Sequence, residues 1–454
     1  MLQARDIAFP CEAVPADPKM ARLVGLYPQR QEGRWMQRVK VLGGVLSARH
    51  WRALGAIARR QVPATPLHLT TRQDVEFHDL AADVVPEVQR ALQEAGLTGL
   101  GACGDTARNI TVCPCSGTRA GLPDLVPLAW SVRHLLETAE GAFDLPRKFK
   151  VSFSACPEGC AGPWINDLGF VATRRGGGWG FRVMAGGSLG PRPGVGMLLA
   201  DGLPADDVLP LVLAAVRFFA AHGDREDRRR ARLRHVRERL GDPSFAAAMR
   251  GALDAARCER PWPPVPLAET VEGLAARATL VFPNGDVSPE AAEALADLAG
   301  AAGVAVRIAP HHRVVVFGRE EAALRAAIEG HEALSPAARP QPSVVSCPGT
   351  RWCSRGIVDT NALADRLRRE LAGTLPADTT VCISGCPNGC AQHAVAPIGL
   401  VGALTGADGR RREVFNLLVG GDLGRSGRLA APLAARLRPD EVAAAIAAHL
   451  GPHR

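Results

Sequence analysis

Tyrosine occurs once in the 454 residues, at position 27, and all aromatic residues together make up 5%. A surface that grips single-stranded nucleic acid interleaves aromatic rings with cations. No stretch of the chain does so, and no nucleic-acid partner is expected. The net charge of +8 and pI near 9.1 point instead to an acidic protein partner, an anionic substrate or an anionic cofactor. Long apolar runs are also missing. None reaches about 18 residues without a charge, proline or glycine cluster, so no membrane-spanning helix is expected. The opening MLQARDIAFPCEAVP has no basic start followed by an apolar run. A secretory signal is therefore not expected, and a cytoplasmic location is. That weakens disulfides as an explanation for the twelve cysteines. Finally, the GGGWG glycines at 176–180 lack the strand–GxGxxG–helix setting of a dinucleotide site. Electrons for any redox chemistry must then come from a separate donor.

What is present is ordinary globular material, 47% hydrophobic and 22% charged. The length suggests two to four domains. The chain is also written twice. Residues 43–59 line up with 284–300, so that Leu46, Ser47, Leu54 and Ile57 fall on Val287, Ser288, Leu295 and Leu298. Each copy reads as a turn, a serine N-cap and an amphipathic helix, followed by an alternating strand, LHLTTRQDVEF or VRIAPHHRVVV. Further on, FSACPEGCAG (153–162) matches CISGCPNGCAQ (382–392), and VMAGGSLG (183–190) matches LVGGDLG (418–424). The order is A, B, A′, B′, with a proline-rich linker near 259–266. A is a small α+β unit and B a larger one carrying cysteines.

The cysteines cluster. Cys347 and Cys353 are spaced C-x5-C, and Cys386 and Cys390 C-x3-C in GCPNGC. Two thiolate pairs can surround one metal centre, and soft thiolates select zinc or iron–sulfur. Zinc more often takes C-x2-C knuckles. The wider spacings, with Gly and Pro beside the cysteines, suit a cubane, while zinc and inert thiols stay open as readings. C-x5-C followed by GCPNGC, within a twofold repeat that carries LTTRQ, resembles the siroheme-dependent nitrite and sulfite reductase family over about residues 20–454. The resemblance implies an α+β fold duplicated about a pseudo-twofold axis. Two ferredoxin-like half-domains (20–96 and 267–335) would alternate with two siroheme and Fe–S-binding α/β domains (97–258 and 340–454). It also implies a [4Fe–4S] cluster on Cys347, Cys353, Cys386 and Cys390, with Cys390 bridging to siroheme. The expected reaction is the six-electron reduction of nitrite or sulfite, nitrite slightly favoured, with ferredoxin or a similar acidic protein as donor.

Such a site needs cations, because siroheme is a polycarboxylate and both substrates are anions. Arg72 (LTTRQ), Arg108 (DTARN), Lys148 and Lys150 (PRKFK) are the expected catalytic residues. Taken singly, each is more often a solvated surface charge. Their joint occurrence in strand-like segments of one half argues otherwise, and Lys148 and Lys150 alternate as on one side of a strand. Breaking N–O or S–O bonds needs protons at each departing oxygen and positive charge where negative charge grows. Arg228 and Arg232, on a basic stretch at 224–241 read as a helix, are expected beside the siroheme carboxylates, the other reading being a solvated helix. Gln73, Asn109, Asn166 and Asn416 are expected as polar neighbours of the cofactor.

The first half departs from the pattern. It has Cys113, Cys115, Cys156 and Cys160, and Arg119 stands where C-x5-C would place its second cysteine. A vestige of duplication or buried thiols is the expected reading, with a second cluster as the alternative. His311 and His312 replace Arg72 and Gln73 in the second copy, and such a pair is usually structural. Some sulfite reductases of the family crosslink a tyrosine to a cysteine beside the heme, and Tyr27 and Cys103 lie in similar segments. The segment WINDLGF (164–170) and Gln392, where such enzymes often carry arginine, are the reasons for favouring nitrite. Two other readings are a precorrin-3B synthase-like oxygenase, which shares the fold, and a non-catalytic siroheme-binding subunit. The intact TTRQ and RKFK segments argue against both.

Overall fold

The computed structural model describes residues 3–176, 178–376, 378–406 and 411–451. The repeat seen in the sequence is a repeat of sheets. One five-stranded sheet runs Thr111–Val112, Val151–Ser154, Leu168–Arg175, Gly178–Ala185, Met197–Pro204. Another runs Ser343–Ser346, Thr380–Ser384, Ile398–Thr405, Arg412–Val419, Ala431–Leu437. In both, the first three strands are parallel and the last two antiparallel. The first is backed by the helices Val126–Thr138, Val208–His222 and Asp242–Glu259, the second by Thr360–Glu370 and Val442–Leu450.

The two smaller units interlock. Helices Ala48–Gln61 and Pro289–Gly300 are capped by Ser47 and Ser288, whose hydroxyls accept from His50 N and Ala291 N. They pack side by side where Gly55 leaves room: a Cβ there would lie 3.1 Å from Pro289 O. The strand Asp286–Val287 adds to the edge of the first small sheet through Leu67 and His68. Reciprocally, Val45 bridges Arg307 in the second half. Because Val45 and Asp286 are equivalent in the repeat, these exchanges are the mark of a pseudo-twofold axis. Loops that join strands within the large sheets repeat the exchange. Gly159 abuts Gly424, and Gly389 abuts Leu189 and Gly190.

Two expectations need correction. LHLTTRQDVEF is not one strand but two, Leu67–Leu69 and Val75–Ala81, joined by a turn with Gln73 at φ 65°. Its counterpart turns at His311 and His312, also at positive φ. Within the first turn, Thr70 Oγ1 accepts from Arg72 N and Asp74 N, which favours a turn over a continuous ladder. Residues 224–241 are helical only over Leu233–Leu240. Before that, Asp224 accepts from Glu226 N and Asp227 N, and Asp227 accepts from Arg229 N. These local bonds compete with helix formation.

One apolar core runs from Ile7 to Ala337 through both small units and the first large one, while the last large unit has its own around Leu363, Leu400 and Phe415. Among the described residues no helix is long and apolar enough to cross a membrane.

Candidate functional site

Arg72 sits on the hairpin turn that the first small sheet pushes toward the first large one. Its guanidinium donates to Asn166 Oδ1 at 2.7 Å and to Asn109 O at 2.7 Å. Asn166 is held in turn by Ser152 Oγ and Gly162 O, and Asn109 donates to Val41 O at 2.6 Å. Arg108 folds back on Ala102 O at 2.8 Å. Lys148 and Lys150 flank Phe149, whose ring is fully buried and whose backbone bridges Ala107. With Phe149 in the core, both lysines point the other way. Arg232 reaches the same place from the start of its short helix and pairs with Asp167 at 2.7 Å.

These groups form one electrostatic unit. Burial, then the charges of Arg232 and Arg108, lower the Lys148 pKa from 10.5 to about 7. Burial, Arg72 and Lys148 push Lys150 well down. Burial brings Arg72 to about 10, with Arg108 and Arg232 adding to the fall and Asp74 and Asp167 opposing it. Crowded half-desolvated cations with few counter-charges are what an anion site requires. Arg232 Nε, Asp167 Oδ1 and Asn109 Oδ1 have no hydrogen-bond partner among the described residues, leaving donors and acceptors for a polar occupant.

The thiol quartet lies against this pocket. Thr71 Oγ1, next to Arg72, donates to Cys390 O at 2.8 Å, and Cys390 acts electrostatically on Lys148. Cys390 is exposed, while Cys347, Cys353 and Cys386 are partly buried. The four feel one another: Cys347 senses Cys390 and Cys386, Cys353 senses Cys390, and Cys386 senses Cys390 and Cys353. Backbone N–H groups aim at the sulfurs, Gly385 N at Cys347 Sγ (3.1 Å) and Arg355 N at Cys353 Sγ (3.4 Å). Burial, then Cys390, raise the Cys347 thiol to about 12, so a metal must displace the proton to bind there. The C-x5-C loop is gripped from the first half. Arg30 N donates to Trp352 O, Arg30 Nη2 to Gly356 O and Gln31 Nε2 to Arg351 O. Soft thiols beside a cationic pocket fit an iron–sulfur cluster next to a polycarboxylate cofactor.

Other expected neighbours lie elsewhere. Gln73 is fully buried, donating to Val112 O and Ile308 O and accepting from Val112 N. It braces the junction of the halves. Asn416 lies on the strand Arg412–Val419 and accepts from Arg436 N, with no contact to the Arg72 group. Arg228 is half exposed and pairs with Asp105, which also holds Arg147. His311 bonds Gln392 at 3.0 Å, and His312 packs on His68. Tyr27 and Cys103 both act on Arg38, and Cys103 is a buried free thiol. Sequence reasoning missed Asp167 and Asp74, the pocket's counter-charges, and Lys40, which burial and then Arg133 lower to about 8. Asp74 is raised to about 6 by burial, against the pull of Arg38. Their only signal was position, immediately after Asn166 and Gln73.

Residues 103–254 and 341–454 match the nitrite and sulphite reductase 4Fe-4S domain, and 27–95 match the nitrite/sulfite reductase ferredoxin-like half domain. The chain is 30% identical to the assimilatory ferredoxin-dependent nitrite reductase of Haloferax mediterranei, over 96% of this chain and 83% of that one. It is 29% identical to the ferredoxin sulfite reductase of Mycobacterium tuberculosis H37Rv, over 88% and 79%. The solved structure of the Mycobacterium tuberculosis NirA protein aligns with a TM-score of 0.82 at 26% identity, covering 96% of this chain and 88% of that one.

Proposed function

The chain belongs to the nitrite and sulphite reductase family, and we propose that Arg72, Arg108, Lys148 and Lys150 bind and protonate the anion it reduces, with nitrite preferred. It is an oxidoreductase that reduces nitrite or sulfite with electrons from ferredoxin, using siroheme and a [4Fe–4S] cluster. Cys347, Cys353, Cys386 and Cys390 would hold the cluster, and Cys390 would join it to siroheme. When bound, these groups supply low-potential electrons at an iron centre.

The chain's own residues do the rest. Arg72 is held rigid by its bonds to Asn166 and Asn109 and presents a fixed positive plane to the anion. Lys148, which burial and the neighbouring cations lower to about 7, gives up a proton readily when an oxygen departs. Lys150, likewise lowered by burial and the neighbouring cations, is the second donor. Arg108 adds fixed charge, and Arg232, paired with Asp167, meets cofactor carboxylates. The observation that carries this reading is geometric: Arg72 is fixed between Asn166 and Asn109, Arg232 pairs with Asp167 beside it, and Thr71 next to Arg72 donates to Cys390 O. A cytoplasmic location goes with it.

The test is the absorption spectrum of the purified protein, followed by turnover of each anion with reduced methyl viologen. Siroheme bands and turnover of nitrite above sulfite are expected. Cys390→Ser should disturb heme and cluster together. Colourless, metal-replete protein with no turnover of either anion would sink the reading.

A further inference from the structure

One cluster of nucleophilic side chains has no place in this chemistry. Cys113 follows the strand Thr111–Val112, and Cys156 and Cys160 follow Val151–Ser154. Their three sulfurs all lie within 4.8 Å of one another. Cys115, also buried, stands two residues after Cys113 in the same loop. Cys113, Cys115 and Cys156 are buried, Cys160 partly so, and none is in a disulfide.

The backbone around them repeats that of the cluster loops. Cys113 N donates to Phe153 O at 3.0 Å, as Cys347 N does to Ile383 O at 3.1 Å. Ala155 N reaches Cys113 Sγ at 3.1 Å, as Gly385 N reaches Cys347 Sγ at 3.1 Å. Cys113, Cys156 and Cys160 thus stand where Cys347, Cys386 and Cys390 stand in the other half. The partner of Cys353 is lost to Arg119, and Cys115 is a new cysteine two residues after Cys113. The spacing differs as well. Among the described residues, only the first-half trio brings three sulfurs within that short mutual distance. Two thiolates bound at about 2.3 Å to one tetrahedral ion lie about 3.8 Å apart. Cubane ligands each take a different iron and stand farther apart. The first-half cysteines are therefore gathered for one ion.

We propose that Cys113, Cys115, Cys156 and Cys160 bind a single thiophilic divalent cation, zinc, in a structural site separate from the redox centres. Four thiolates around a divalent ion leave net negative charge, and Arg119 and Arg277 act on Cys115 to offset it. The ion fixes the loop carrying Glu158 and Gly159. Gly159 packs on Gly424, and Glu158 pairs with Arg425 at 3.7 Å, so the site stiffens the contact between halves.

The test uses the full-length, cofactor-loaded protein. Elemental analysis should find about one zinc per chain beside about five irons, and zinc X-ray absorption should show an all-sulfur shell at about 2.3 Å. These wild-type measurements do not depend on any variant folding. Cys156→Ser and Cys160→Ser should lower zinc at least fivefold while the siroheme bands persist, and Cys258→Ser, an exposed thiol, should keep it. Zinc-free protein whose four thiols alkylate without a metal chelator would overturn the proposal. So would a nitrogen or oxygen zinc shell, or about nine irons per chain with a second cluster signal.

Discussion

Asp167→Asn is the sharpest probe of the cation pocket. Asp167 is fully buried; its Oδ2 accepts from Arg232 at 2.7 Å and from Lys150 N at 2.9 Å. The amide keeps the shape and an acceptor but removes the charge, leaving Arg232, itself buried, without its ion partner. Breaking one side of a buried pair costs about 3–5 kcal/mol. With a urea slope of about 3 kcal/mol/M, that moves the unfolding midpoint down by about 1 M or more. The same change makes the pocket more positive, so cofactor-free Asp167→Asn should bind oxyanions more tightly while being less stable. Opposite signs in the two assays are the signature of a counter-charge. The control is Asp144→Asn, which loses exposed pairs with Lys19 and Arg225, each worth about 0–1 kcal/mol. Urea curves for cofactor-free protein, with anion titrations beside them, decide it. A midpoint within about 0.3 M of wild type would refute the reasoning.

Lys148→Met should lower turnover about 10²–10⁴-fold with the spectrum kept; wild-type rates would remove Lys148 from the chemistry. Because folding lowers the Lys148 pKa from 10.5 to about 7, the unfolded chain binds the extra proton between those values. Stability of the cofactor-free protein should therefore rise with pH across that window, and denaturation at a series of pH values should show a shallower rise in Lys148→Met. Gln392→Arg should shift the kcat/KM ratio toward sulfite. An unchanged ratio would confine Gln392 to its bond with His311. Peptide mapping should find Cys103 alkylatable after unfolding of active enzyme, and a Tyr27–Cys103 linked peptide would contradict that.

The repeat and the cysteine quartet were legible because they are matters of spacing, which a linear text preserves. The four cations could be named because the resemblance assigned them, though their crowding is visible only in three dimensions. Gln73 shows the limit. Beside Arg72 in the sequence, it resembles a cofactor contact, but a left-handed turn aims its amide at Val112 and Ile308 instead. Asp167 was missed because a single carboxylate carries no period. The stretch 224–232 misled because its arginines suit a helix, while Asp224 and Asp227 capture nearby N–H groups.

The grip of Arg30 and Gln31 on the C-x5-C loop has a consequence for how the protein is made. Arg30 bonds Gly356 across 326 residues of chain, so a segment made earlier steadies the loop of a cysteine made much later. The last unit has its own core, yet its cysteine loop is held from the first half. The loop gains that support only once residues 30 and 356 have both been made. A chain cleaved just after Gln31 would carry all four thiols and still lack the bonds that steady the C-x5-C loop.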